Sequence, residues 1–265
     1  MTDADSNLLA CDDITVTVPG RLLVDALNFE VRRGEIIAVL GRNGTGKSLT
    51  LLTLAGLRTP DAGRVRLLGD DISSQKRQHT AKHLALLPQV IDDIFPATVL
   101  DTALIGRHPH IAALSWESTE DYAAAEAALD TMGLYELRQR DILTLSGGER
   151  RRLAISQVLA QAPDVYLLDE PTNHLDPQHQ LDALRVLRRA ADAGAGIIAS
   201  LHDVNLAARF ADQCLLLFGD GRWKLGASQD VLNEDILGEL YATRVESVHW
   251  RSHKLYVASS GDPAP

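Results

Sequence analysis

Glu35–Gly56 reads EIIAVLGRNGTGKSLTLLTLAG, and this stretch decides the fold. EIIAVL is a short apolar run of the kind found in strands covered on both faces. SLTLLTLAG has the pattern of a helix. Between them, GRNGTGKS (Gly41–Ser48) fills every fixed position of G-x-x-x-x-G-K-[ST], in the strand–loop–helix setting that the motif demands. Gly41, Gly44 and Gly46 let the backbone bend so that successive N–H groups face phosphate oxygens. The helix start adds its positive dipole end. Lys47 is placed to reach terminal phosphates and the Ser48 hydroxyl to hold Mg²⁺. Arg42, Asn43, Thr45 and Leu49 complete the expected nucleotide contact. A Gly-rich turn before a helix is often merely structural, but Lys-Ser in register after a buried strand outweighs that reading.

Working outward, strands are expected at Leu84–Leu87, Val165–Asp169 and Ile197–Leu201, alternating with helical patterns. That alternation implies an α/β fold with a mainly parallel sheet. Ile14–Val18 and Asn28–Val31 alternate more strictly and are expected to form an antiparallel β edge layer. Cys214–Phe218 and Arg222–Leu225 flank Gly219-Asp220-Gly221, a hairpin signal. Between residues 92 and 160 strand signals vanish and helical patterns take over, as in Thr119–Met132. The expected organisation is a nucleotide-binding core of residues 1–91 and 161–258, an inserted helical subdomain of residues 92–160, and a disordered tail of residues 259–265.

VYLLDEPTNHLD supplies an acidic pair. A buried strand ends at Asp169, at the sheet edge where α/β proteins bind ligands. Asp169 is placed to help position Mg²⁺, and Glu170 to polarise an attacking water as general base. Alone, such a pair is more often a cap or a solvated turn; the phosphate cradle changes the balance.

Three further elements follow in order: Gln89 in LLPQ, LSGGE at Leu145–Glu149, and His202 after IIASL. With these, the chain resembles the ATP-binding subunits of ABC transporters over Gly41–His202 and beyond. The resemblance implies a P-loop NTPase (RecA-like) core. It makes Gln89 a sensor of Mg²⁺ and attacking water, His202 a γ-phosphate contact, and Asp176 part of a loop crossing a dimer interface. Ser146, Gly147, Gly148 and Glu149 would cap the γ-phosphate of ATP held by the opposite subunit. Ser146 is in any case a fitting N-cap, with bare glycine N–H groups behind it. The implied assembly is a homodimer with two ATP molecules sandwiched between the chains. Two departures stand out. Val18 occupies the place where the family has an adenine-stacking aromatic, and Arg150 follows LSGGE where Gln is usual.

FPATVLDTALIGRHPH (Phe95–His110) resembles the importers of iron–siderophore complexes, haem and cobalamin, with cobalamin favoured. In that group a membrane permease docks a coupling helix here, near residues 89–110, and a periplasmic binding protein delivers the cargo. His108 and His110 read as surface loop rather than as metal ligands. The formal net charge of -10 speaks against nucleic acid as a partner. Neither the paired cassettes of ribosome-acting relatives nor the coiled coil of DNA-repair relatives is seen, and a non-catalytic adaptor would be expected to lose Lys47 or Glu170. Cys11 and Cys214 stand far apart and read as buried small hydrophobes. No signal peptide is evident, and no apolar run approaches the roughly 20 residues of a membrane helix. The expected location is peripheral, on the cytoplasmic face of the inner membrane.

Overall fold

The computed structural model describes residues 7–90, 96–112, 115–251 and 253–259. In chain order, β1 (Asn7–Val18) and β2 (Arg21–Arg32) precede β3 (Ile36–Leu40) and α1 (Lys47–Leu54). There follow β4 (Ala62–Leu67), the two-residue β5 (Asp70–Asp71), α2 (Arg77–His83) and β6 (Leu84–Leu87). Next come α3 (Val99–Leu104), α4 (Thr119–Thr131) and α5 (Gly147–Gln161), leading to β7 (Val165–Leu168), α6 (Pro177–Asp192), β8 (Gly196–Ser200) and α7 (Val204–Phe210). The last elements are β9 (Gln213–Leu217), β10 (Trp223–Ala227), α8 (Ser228–Val231), α9 (Glu234–Tyr241), β11 (Arg244–Trp250) and β12 (His253–Ser259).

The main sheet has the order β10-β9-β3-β8-β7-β6, parallel throughout except for the β9–β10 hairpin. Its strands are apolar at nearly every position because each face is covered. In β3, Ile36, Ala38 and Leu40 point into one core while Ile37 and Val39 point into the other. The same period of two splits Tyr166 and Leu168 from Val165 and Leu167 in β7. One core is closed by helices, the other by α1 and the antiparallel sheet β2-β1-β4-β5. Each fully buried leucine there, such as Leu40 or Leu51, is worth about 1.5–3 kcal/mol. The expected fold class, an α/β P-loop NTPase core with a mainly parallel sheet and an antiparallel β layer, is the observed one.

The edge strands are much longer than Ile14–Val18 and Asn28–Val31. Asp13 (φ 50) and Ala26 (φ 45) are left-handed, and the register of β1 against β2 shifts between Cys11 and Ile14. These bulges break the alternation that marks a strand in sequence. They also dictate a glycine in β4: a Cβ on Gly63 would lie 2.3 Å from the Asp13 carbonyl oxygen. The expected strands elsewhere hold to within a residue or so at each end; Asp169 and Leu201 lie just past theirs.

Among the described residues no strand lies between Leu87 and Val165, only an isolated bridge from Thr98 to Asp141. Three of the helices here open with a capping box: Thr98/Asp101, Ser118/Asp121 and Ser146/Glu149. In the second, the Ser118 backbone N–H and then Arg107 hold the Asp121 carboxyl down at about 2. α4 stops at Thr131, with Met132 as its C-cap. The start of the expected helical stretch, including Phe95, lies outside the described residues. The β11–β12 hairpin is not among the expected elements, and it takes Ser259 away from the expected tail, whose remainder, 260–265, is outside the described residues. Asn205 of α7 holds the hairpin to the body by pairing with both backbone groups of Tyr256. Both cysteines are free and buried, and burial pushes their thiols up to about 12 (Cys11) and about 11 (Cys214).

Candidate functional site

Four of the five parallel strands, β3, β6, β7 and β8, send the loops at their C-terminal ends to the same edge of the sheet, where these loops meet. The loop after β3 wraps the start of α1. Gly44 (φ 77) and Gly46 (φ 103) are left-handed, and a Cβ on Gly41 would fall 2.5 Å from the Leu217 carbonyl oxygen. Gly46 is the N-cap of α1 and provides no side-chain cap, which leaves the helix N–H groups to an anion. Lys47 is buried, and its Nζ donates to the carbonyl oxygens of Gly41 (2.9 Å) and Arg42 (3.3 Å). Burial lowers its pKa, opposed by the charges of Glu170 and Asp169. Thr45 braces the loop by donating its hydroxyl to the Arg42 carbonyl at 2.9 Å.

A cavity of about 580 Å³ opens above this loop. Asn43, Gly44, Gly46, Lys47, Ser48 and Leu49 line one side, with Gln89, Glu170, Asn173 and His202 opposite. Val18, Arg21 and Leu23 complete the wall, and no Phe, Tyr or Trp is among the lining residues. Arg42 and Thr45 serve the loop's own geometry rather than line the cavity.

Asp169 and Glu170 follow β7 and are 4% and 5% exposed. Glu170 has φ 52, a left-handed conformation that costs a non-glycine residue about 1 kcal/mol or more. Its side chain is the hub of the cavity. Oε2 accepts from Gln89 Nε2 at 2.9 Å and from Asn173 Nδ2, and Oε1 stands 2.5 Å from His202 Nε2. The expected trio of Glu170, Gln89 and His202 is therefore gathered around one carboxylate.

Three participants lie outside the sequence reading. Asn173 reads there only as part of a loop. Ser200 is fully buried; its hydroxyl donates to Asp169 Oδ1 at 2.6 Å and accepts the Glu170 N–H at 2.8 Å. A signal for it exists, since IIASL places one polar residue in an otherwise apolar strand. Arg151 is the third, hidden in the basic run RRR. Ser200→Ala would strand a buried N–H, so it is expected to lower the unfolding free energy by about 1–3 kcal/mol in urea titrations. An unchanged midpoint and slope would show that the hydroxyl carries nothing.

LSGGE sits elsewhere. Ser146 caps α5: its hydroxyl accepts from the Glu149 N–H at 3.3 Å, and Glu149 Oε2 accepts from the Ser146 N–H at 2.8 Å. The Ser146 N–H and then its hydroxyl, both donating to the carboxylate, hold the Glu149 carboxyl below its usual range. Ser146 and Gly147 are exposed, and a Cβ on Gly147 would meet only open space. None of Ser146, Gly147, Gly148 and Glu149 lines the cavity of its own chain. Asp176 is exposed and caps α6 by accepting from the His179 N–H at 2.9 Å. His110 Nε2 lies 2.8 Å from the Gln161 carbonyl oxygen and His108 is exposed, and among the described residues no group of three His, Cys, Asp or Glu residues could hold a metal ion.

Residues 24–173 match the family described as ABC transporter. The chain is 37% identical over 234 residues to a cobalamin import ATP-binding protein of Halobacterium salinarum, covering 88% of this chain but only 58% of that one. It thus spans little more than half the length of that relative. A hemin import ATP-binding protein of Deinococcus radiodurans is 42% identical over 221 residues, 81% of this chain and 82% of that protein. An iron(3+)-hydroxamate import ATP-binding protein of Bacillus subtilis is 35% identical over 243 residues, 91% and 90%. Among solved structures, a metal-chelate type ABC transporter in an inward-facing conformation superposes with a TM-score of 0.84 at 28% identity, covering 96% of this chain and 98% of that one.

Proposed function

The chain belongs to the ABC transporter family, and from that membership we propose that it binds and hydrolyses ATP to drive import of a metal chelate. It works as one half of a homodimer. The observation that carries this reading is the division of labour within one chain. The cradle, the Glu170 hub and His202 share a cavity, while the exposed start of α5 lies outside it. A helix start with bare N–H groups is an anion site in search of a phosphate. A second chain placed head to tail supplies one, so that each ATP lies between the cradle of one chain and Ser146–Gly148 of the other.

In this site Glu170 acts as base toward the attacking water, Gln89 and Asn173 orient its carboxylate, and His202 contacts the γ-phosphate. Ser48, Gln89 and Asp169 would hold Mg²⁺, which supplies charge neutralisation on the phosphates. A hydroxyl, an amide oxygen and a carboxylate are the hard oxygen donors that suit this ion, which prefers few protein ligands plus phosphate and water. Asp176 belongs to the loop that meets the partner chain.

Among the described residues no helix is long and apolar enough to cross a membrane. The reading places the dimer on the cytoplasmic face of the inner membrane, bound to a separate permease near residues 89–110. Val90 and Ile105 are exposed apolar residues in that stretch. A periplasmic binding protein acts on the permease's far side, and no nucleic acid takes part. The similarity extends to relatives for cobalamin, haem and hydroxamate siderophores alike. Growth of a deletion strain on each as sole corrinoid or iron source, with and without the restored chain, identifies the cargo. Rescue on none of them would overturn the metal-chelate assignment.

The base pocket makes its own prediction. With Val18 in place of an aromatic, adenine lacks a stacking partner. Val18→Tyr is expected to tighten ATP binding by about fivefold, roughly 1 kcal/mol, in equilibrium titrations. Because stacking serves either purine, GTP binding should tighten alike; unchanged ATP affinity in the variant would refute the assignment of the base to this wall.

A further inference from the structure

Arg151 lies one turn into α5 and is 4% exposed. All three guanidinium nitrogens donate to main-chain carbonyl oxygens. Nη2 reaches Asp169 at 2.5 Å and Glu170 at 2.7 Å, Nη1 reaches Pro88 at 2.9 Å and Gln89 at 3.4 Å, and Nε reaches Pro171 at 3.3 Å. Burying a guanidinium is costly and lowers its pKa, an effect offset by the charges of Asp169 and Glu170.

The five carbonyls belong to two segments, 88–89 after β6 and 169–171 after β7. These strands run in parallel register, Leu87 beside Leu168, and their ladder ends with the Asp169 N–H on the Leu87 carbonyl at 2.8 Å. Arg151 takes over where the ladder stops. It ties together the segment bearing Gln89 and the segment bearing Glu170, whose side chains bond at 2.9 Å. Glu170 needs outside support because its backbone is left-handed. Ser200 holds its N–H and Arg151 holds its C=O. The planar fork suits this task, since a lysine has three donors on one atom and cannot span both segments alike.

We propose that Arg151 is a positioning residue for hydrolysis, holding Glu170 and Gln89 in working alignment from the helix that begins with LSGGE. The inference rests on the reading of Glu170 as general base. α5 touches the same loop a second time: a Cβ on Gly148 would come 3.3 Å from the His174 carbonyl oxygen. The start of α5 and the segment bearing Glu170 are thus joined at two places.

The test compares Arg151→Met and Arg151→Lys with the wild type, measuring steady-state ATP hydrolysis and equilibrium binding of a fluorescent ATP analogue. Turnover is normalised to the nucleotide-binding sites titrated in each preparation, which removes any misfolded fraction. Arg151→Met is expected to lower kcat per site by about tenfold to a hundredfold, as a base displaced by an ångström would. KM and analogue affinity should stay within about twofold, and Arg151→Lys should recover part of the loss. If Arg151→Met proves insoluble, a several-fold loss of kcat in Arg151→Lys at unchanged affinity supports the proposal and an unchanged kcat overturns it. It is also overturned if kcat per site is unaffected in Arg151→Met, or falls only in step with affinity. Absent wild-type hydrolysis would instead strike the functional reading itself.

Discussion

Glu170→Gln is expected to lower ATP turnover by about three orders of magnitude while leaving the nucleotide bound, because it removes the base and little else. The substitution is close to isosteric, at a residue that is 5% exposed. The new amide oxygen can keep accepting from Gln89 and Asn173, which both donate to one carboxylate oxygen in the native chain. Its NH₂ then faces His202 Nε2, which can accept when the ring carries its proton on Nδ1. Lys47 loses one of two neighbouring negative charges but keeps Asp169. If the γ-phosphate lies beside Glu170 as proposed, removing the carboxylate also removes repulsion, so ATP affinity should hold or rise. If ATP glues two chains together as proposed, blocked hydrolysis leaves the closed dimer no route to open, and size exclusion with ATP and Mg²⁺ should show a dimer that wild type shows only transiently. Turnover above about a tenth of wild type would dismiss Glu170 as the base. A purely monomeric profile would dismiss ATP as the glue between chains.

The sheet and its ligand edge are legible in the sequence because two physical signals coincide there. Strands covered on both faces leave unbroken apolar runs such as EIIAVL and VYLL, and motif residues just beyond them, Lys47, Ser48 and Glu170 among them, line one cavity. β1 and β2 are legible only in part, since the bulges at Asp13 and Ala26 interrupt the period of two. The β11–β12 hairpin escapes notice although it alternates, because it packs through few residues, chiefly Val245 and Tyr256. Within the site, most of the motif side chains that face the cavity can be read, Asn173 being an exception, and those that hold them from behind are far harder to see. Ser200 and Arg151 act through backbone groups of residues 30 and 18 or 19 positions away, a relation that no local pattern carries. The left-handed turn at Glu170 is equally silent in sequence.

The division between cradle and LSGGE admits a test that a single-chain site must fail. Lys47→Ala disables the cradle, and Gly147→Asp places a carboxylate at the start of α5. The aspartate is tolerated by the fold, since a Cβ there meets nothing within 4 Å and an acidic residue in the first turn suits the helix dipole. It would, however, repel a phosphate approaching that helix start. Each variant alone is expected to lose nearly all ATP turnover. In a mixed dimer, the intact cradle of the Gly147→Asp chain meets the intact LSGGE of the Lys47→Ala chain, so one complete site returns. Random pairing of equal amounts makes half the dimers mixed, each with one site of two. Turnover should therefore recover to about a quarter of wild type if the two sites act independently, and to less if they are coupled. If LSGGE instead served the ATP of its own chain, every site in the mixture would remain broken and no activity would return. A titration of one variant into the other, read as ATPase activity against mole fraction, separates these cases, because only shared sites give a curve that peaks between two inactive end points.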